Sequence, residues 1–155
     1  MSNYKATIKW QRNGEDVLAN KYSRAHVWQF DGGAEIPASA SPQIVPLPWS
    51  VAENVDPEEA FVASLASCHM LFFLSIAAEN GFQIESYTDH ALGRMSKNKQ
   101  GKIAITHAQL HPETRFCGDS QPDADRLAHL HHLAHERCFI ANSVNTQIDI
   151  IPGSL

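Results

Sequence analysis

The chain has 155 residues, 43% of them hydrophobic and 19% charged, with a formal net charge of -5. That length suits one domain spanning 1–155, and the composition is that of a folded soluble protein rather than a disordered one. The acidic balance and the absence of any basic run argue against nucleic acid as a partner. The opening residues, Met1-Ser2-Asn3-Tyr4-Lys5, lack the apolar core of a signal peptide. The expectation is a cytoplasmic protein whose three cysteines rest as thiols, free for catalysis or metal binding rather than for a disulfide framework.

Tyr4 to Trp10 reads as a strand, and the Asn13-Gly14 turn leads toward a second one. Tyr22 to Phe30 is the next strand, ended by Asp31-Gly32-Gly33. Ala34 to Asn54, spaced by Pro37, Pro42, Pro46 and Pro48, reads as a long loop, a kind that is often functional. A helix then starts with Asp56 as N-cap and Pro57 at the first helical position. Glu58 and Glu59 favour its positive end, and Gly81 stops it. Ile84 to Met95 and Lys102 to His111 read as strands joined across Ser96 to Gly101, followed by a loop from Arg115 to Pro122. Asp123 to Arg137 carries Leu127, Leu130, Leu133 and Ala134 at helical spacing, and Thr146 to Ile151 is a closing strand. This order of strands and helices is an α+β arrangement.

Between Ala60 and Ala78 the first helix has no charged residue. Nineteen such residues approach the span of a bilayer's hydrocarbon core. Ser64, Ser67, His69 and Ser75, acidic residues at both ends and the lack of flanking Lys or Arg favour a buried soluble helix instead, and no membrane association is expected. A helix apolar on every face must be covered on every face, and a chain this short can hardly do so alone. The pattern points to a partner subunit.

Cys68 sits near the middle of that helix, and Cys138 ends the second one. Asp56-Pro57-Glu58-Glu59-Ala60-Phe61, followed by Ala66-Ser67-Cys68-His69-Met70, resembles the first signature of the OsmC/Ohr family of thiol peroxidases. Ala134-His135-Glu136-Arg137-Cys138-Phe139-Ile140-Ala141-Asn142-Ser143 resembles the second. The resemblance implies an OsmC-like fold in which curved antiparallel sheets surround two long central helices of an intertwined homodimer. It also implies reduction of organic hydroperoxides by a cysteine pair, with Cys68 peroxidatic and Cys138 resolving, and with no metal or organic cofactor. The physical chemistry agrees, because a thiolate is the nucleophile and a second thiol captures the sulfenic acid as a disulfide.

A buried thiol needs a nearby positive charge. In the family an arginine held by a glutamate supplies it. Glu58 matches the glutamate, and Arg24 is the candidate arginine: its place in an early strand resembles the Ohr branch, whereas the OsmC branch takes its arginine from later in the chain, where the next arginine is Arg94. Glu58 and Cys68 are ten residues, about 15 Å, apart along a helix. If Glu58 supports Cys68, it more naturally serves the thiol of the other subunit. Cys117 matches nothing in the family pattern. Met70, Phe72 and Phe73 suggest an apolar approach that favours organic hydroperoxides over hydrogen peroxide. The reductant expected is a dithiol, with lipoyl-type dithiols associated with the Ohr branch.

The main rival signal is histidine. His129, His131, His132 and His135 crowd one helix, and His132, His135 and Cys138 follow at intervals of three. With Cys68 they offer a tetrahedral zinc set, although the spacing is that of no known zinc motif. His69 is a second candidate for tuning the thiolate. A non-catalytic binding module on the same fold is the remaining alternative.

Overall fold

The computed structural model describes residues 1–153 and forms two compact units, one of Met1–Ala60 and one from Phe61 onward. In the first unit β1 (Ala6–Lys9), β2 (His26–Phe30) and β3 (Glu35–Ala38) form an antiparallel sheet in that order. The sequence leaves β3 inside an expected loop, because Pro37 argues against a strand. Proline is tolerated here because β3 lies at the sheet edge, where its missing N–H is not needed. No strand directly follows the Asn13-Gly14 turn, which is closed by Glu15 N–H donating to the Arg12 carbonyl at 3.0 Å; a single bridge pairs Asp16 with Lys21 beyond it.

The rest of the proline-spaced segment is pinned by backbone and serine bonds. Ser39 N–H donates to Val55 at 3.0 Å, and Val51 N–H donates to the fully buried Ser39 Oγ at 2.9 Å. Asn54 Nδ2 donates to Ala38 at 3.2 Å. Such bonds satisfy main-chain groups that have no ladder to join, and they carry the chain to the start of the long helix.

That helix, α1 (Pro57–Glu79), begins with a reciprocal capping box. Glu59 N–H donates to Asp56 Oδ1 at 2.8 Å, and Asp56 N–H donates to Glu59 Oε2 at 3.2 Å. Of its 23 residues only Leu65, His69, Phe73, Ile76 and Ala77 are buried. By length and apolarity alone it would pass for a membrane span. It ends at Gly81, whose φ of 78° suits the left-handed stop.

Beyond Gly81 the expected strand from Ile84 to Met95 is two strands, β4 (Gln83–Asp89) and β5 (Leu92–Lys97), separated by His90 and Ala91. β6 (Ile103–Leu110) follows. β7 (Pro112–Cys117) begins before the expected loop and takes its first three residues, Arg115 to Cys117, with Pro112 at the first strand position. β4 pairs with β7 alone, and β5, β6 and β8 (Gln147–Ile150) make a second sheet in which β8 runs parallel to β6. That parallel pairing departs from an all-antiparallel expectation.

The second long helix, α2 (Ala124–Arg137), is capped by Asp123, whose carboxylate accepts the Arg126 N–H at 2.8 Å. Phe73 and Ile76 of α1 meet Leu127, Leu130 and Ala134 of α2 in the buried core, with Phe82, Ile84, Tyr87 and Phe116 packed around them. β5 also lies close to α1. A Cβ added at Gly93 would come within 2.5 Å of Val62 Cγ2, and valine on a helix has little rotameric freedom to yield.

Gly93→Ala is therefore expected to destabilise the protein by about 1–3 kcal/mol, the usual range for overpacking. A thermal scan should show a melting temperature several degrees lower. An unchanged melting temperature would mean that the helix and strand separate without cost.

Candidate functional site

Cys68 lies in mid-helix on α1, and Cys138 is the C-cap residue of α2, with φ of -67° and ψ of 111°. The extended cap turns the chain out of the helix and into a short 3₁₀ turn at Ala141–Ser143. The fold places Cys68 near enough to the Cys138 thiol to shift its pKa, and both cysteines are free thiols. Cys138 is 1% exposed and Cys68 is half-buried. Ala141 N–H donates to Cys138 Sγ at 3.4 Å.

Burial, and next the neighbouring Cys68, push the Cys138 thiol up to about 11, while the N–H groups of Ala141 and Ile140 pull the other way. Near neutral pH Cys138 is thus protonated. Of the two, Cys68 has the access that a reagent from solvent requires.

An aromatic pair stands beside the thiols. Phe72, one turn beyond Cys68, meets Phe139, the residue after Cys138, edge to face, with centroids 5.0 Å apart and planes at 90°. Phe139 was not singled out from the sequence; its position after the second cysteine was the available signal. Phe73, taken from the sequence as part of an apolar approach, is instead fully buried and stacks on His131 at 4.1 Å.

His69 and His131 form the other buried pair that links α1 to α2. His69 Nε2 lies 3.0 Å from His131 Nδ1, and the ring planes are 8° apart. The residues are 1% and 2% exposed. His69 Nδ1 and His131 Nε2 are buried without a hydrogen-bond partner among the described residues. Burial lowers His69 to about 4, with His135 contributing, and lowers His131 to about 3, with His69 contributing. Both imidazoles are therefore neutral near pH 7. His69 is turned into the core and hydrogen-bonds neither thiol.

The remaining candidates make other contacts. Arg24, in the first unit, lies 3.6 Å from the centre of the Tyr22 ring and donates to the Tyr22 carbonyl at 2.6 Å and to the Asn20 side chain. Glu58 is half-buried in the first turn of α1, and the capping box uses Glu59 instead. Arg24 and Glu58 form no ion pair with each other among the described residues. Cys117 ends β7, opposite Gln83, where its thiol donates to the Gln83 carbonyl at 3.8 Å.

The histidine-rich helix does not gather its donors. His132 is exposed and pairs with Glu136 at 3.5 Å, whereas His131 faces the core. No three His, Cys, Asp or Glu side chains among the described residues converge on a point that would hold a metal ion. His132 and Cys138 do not share a face, since His132 is exposed and Cys138 is buried.

The family model described as OsmC-like protein matches residues 51–152. The chain belongs to the OsmC-like family. A solved OsmC-like protein of unknown function from Vibrio cholerae is 54% identical over 99% of this chain and 100% of its own, with a TM-score of 0.97. Two more distant structures share the fold. An organic hydroperoxide resistance protein from Elizabethkingia anophelis is 14% identical, covering 100% of this chain and 98% of its own, with a TM-score of 0.73. The organic hydroperoxide resistance protein OhrB of Bacillus subtilis is 18% identical, covering 98% of each chain, with a TM-score of 0.67. No curated protein matches the chain in sequence.

The histidine pair makes a stability prediction. Unfolded imidazoles take up protons near pH 6.5, and the folded pair does so only near 4 and 3. The unfolded state thus binds more protons as pH falls below about 6.5. Stability is full above that value and declines as pH drops toward the folded values, by up to ~1.4 kcal/mol per pH unit for each ring. Urea unfolding between pH 7 and pH 5 should show this decline, and a His69→Leu/His131→Phe variant should show a flatter profile. Parallel profiles for the two proteins would assign the acid sensitivity elsewhere.

Proposed function

We propose that this OsmC-like protein is a cysteine-based peroxidase of organic hydroperoxides. The observation that carries the reading is that a half-buried Cys68 neighbours a buried, protonated Cys138 closely enough to shift its pKa. The names of the Elizabethkingia anophelis and Bacillus subtilis relatives, organic hydroperoxide resistance proteins, support the same reaction class.

In this mechanism the Cys68 thiolate attacks the terminal peroxide oxygen. The S–O bond forms as the O–O bond breaks, and the alkoxide takes up a proton and leaves as alcohol. Cys68 is then a sulfenic acid. Cys138 gives up its proton and attacks the Cys68 sulfur; the S–S bond forms, and the departing hydroxide leaves as water with that proton. An external dithiol, of lipoyl type or another kind, reduces the disulfide and restores both thiols. Arg24 is assigned to stabilise the Cys68 thiolate and Glu58 to orient Arg24. No metal or organic cofactor takes part.

A second copy of the chain is the proposed cover for α1. The helix buries only five residues within its own chain, and Leu71 at its middle is 60% exposed. A homodimer that encloses the helix would bury well over ~2,000 Å², as obligate dimers do. It would also allow Glu58 of one chain to serve the thiol of the other. A cytoplasmic setting, which keeps both thiols reduced at rest, fits the reading.

With tert-butyl or cumene hydroperoxide and a dithiol reductant, Cys68→Ser should lose turnover entirely. Cys138→Ser should consume about one equivalent and then stop as the sulfenic acid overoxidises, and Cys117→Ser should match wild type. Equal first-turnover loss in the Cys68 and Cys138 variants would contradict the assignment and favour a shared metal site. Arg24→Ala should slow the first step near neutral pH, because the thiolate loses its counter-charge, a change visible in stopped-flow traces. Sedimentation at micromolar concentration should show a dimer, and a stable monomer would remove the proposed cover of α1.

A further inference from the structure

We propose that His69 and His131 are positioning residues that hold α1 and α2 in the one register at which Cys138 can close on the Cys68 sulfenic acid. This role rests on the peroxidase reading above for its consequence, and it places control of the disulfide-forming step in a pair that hydrogen-bonds neither sulfur.

His69 directly follows Cys68 on α1, about 1.5 Å along the axis, so the two positions move together. His131 and Cys138 are close to two turns apart, and both lie on the buried side of α2, 2% and 1% exposed. A slide or rotation of one helix on the other at the imidazoles is therefore passed to the sulfurs. Both rings are enclosed by residues of their own chain. A second copy laid on the open face of α1 leaves the pair as it is.

The imidazole contact is directional where its surroundings are not. The cluster of Phe73, Ile76, Leu127, Leu130 and Ala134 gains from burial alone, which depends little on orientation. The bond of 3.0 Å between His69 Nε2 and His131 Nδ1, with ring planes 8° apart, is less tolerant, because hydrogen bonds weaken steeply out of line. Phe73 stacks on His131 at 4.1 Å with planes 17° apart and steadies that ring in turn.

Energetics point to the same role. His69 Nδ1 and His131 Nε2 are buried without a partner among the described residues. Unpaired buried polar atoms cost more than a single hydrogen bond returns, so apolar side chains of similar size would fill this space with at least equal stability. They would not specify a register. Disulfide closure is the step that needs one. The Cys138 sulfur attacks the Cys68 sulfur, the S–S bond forms as the S–O bond breaks, and hydroxide leaves as water with the Cys138 proton. A disulfide accepts a narrow range of distance and dihedral angle, and a misplacement of about 1 Å can slow a reaction by on the order of a hundredfold. The earlier attack of Cys68 on peroxide needs no group from α2.

The test is the thiol–disulfide equilibrium of Cys68 and Cys138 in full-length Cys117→Ser protein, set by oxidised and reduced dithiothreitol at pH 7. Two protein thiols and one dithiothreitol disulfide exchange for one protein disulfide and two dithiothreitol thiols. His69→Leu/His131→Phe should lower this equilibrium constant by about tenfold, while its reduced form melts no lower than the parent. His69→Gln/His131→Asn returns an amide near each facing nitrogen and should bring the constant to within about threefold of the parent. In single-turnover stopped flow with cumene hydroperoxide, the apolar variant should slow the disulfide step about tenfold and the sulfenic acid step less than about threefold.

An unchanged equilibrium constant in the apolar variant, or a fall matched by a lower melting temperature, would overturn the positioning role. So would a parent protein in which no Cys68–Cys138 disulfide forms at any dithiothreitol ratio. The equilibrium requires no peroxide. A wild type that turns over no hydroperoxide, with the equilibrium shift intact, would sink the peroxidase reading and leave the register role standing.

Discussion

Everything in the second unit depends on how a long helix without a polar face is covered. From Ala60 to Ala78 α1 carries no charge, so no side of it is prepared for water, and each covered residue adds to stability in proportion to the apolar area removed from solvent. Its own chain covers one strip. Leu65, His69, Phe73, Ile76 and Ala77 recur at intervals of three and four, which is the spacing of a single helical face. α2 meets that strip with Leu127, Leu130 and Ala134. The union of these two helices positions the sulfurs, the imidazoles and the aromatic pair alike.

The three cross-helix pairs divide the work by chemistry. The phenylalanine pair is apolar and lies toward solvent, whereas the imidazole pair is polar and lies in the core. The thiol pair lies between these extremes, with one member accessible and one buried. A peroxide-reducing centre needs this asymmetry: an open first sulfur meets the substrate, and a shielded second sulfur is spared direct oxidation.

Much of this was legible in the sequence, for identifiable reasons. Asp56, Pro57 and Gly81 are local signals whose meaning does not depend on the rest of the chain, and α1 begins and ends where they place it. The two cysteine blocks gave the family because their order and spacing are specific. Strand boundaries were harder to read. β7 was missed because Arg115 to Pro122 is polar and turn-like, and its pairing with β4 is a long-range contact that no local pattern reports. β3 was hidden by Pro37, whose tolerance at a sheet edge depends on the finished sheet. The histidines misled for a related reason. Spacing along α2 groups His132 with His135 and Cys138, but two steps of three drift about 120° around a helix, which leaves His132 exposed and Cys138 buried. Between the two glutamates of the first turn, only the structure showed that Glu59 closes the capping box and leaves Glu58 free of it.

The imidazole pair has one more property. Its two facing nitrogens share a single proton, so one ring donates and the other accepts. The choice fixes the outer ends as well. When His69 donates at Nε2, its Nδ1 is a bare lone pair and His131 Nε2 carries a hydrogen; when His131 donates at Nδ1, both ends exchange character. The pair is therefore a small reversible dipole laid across the junction of α1 and α2, with no net charge in either orientation. Reversing it requires concerted tautomer exchange in both rings, and a water molecule at either end would have to turn over with it. The interior that holds the thiols in place thus contains a polar element with two orientations, and moving between them requires no change in the packing of the helices.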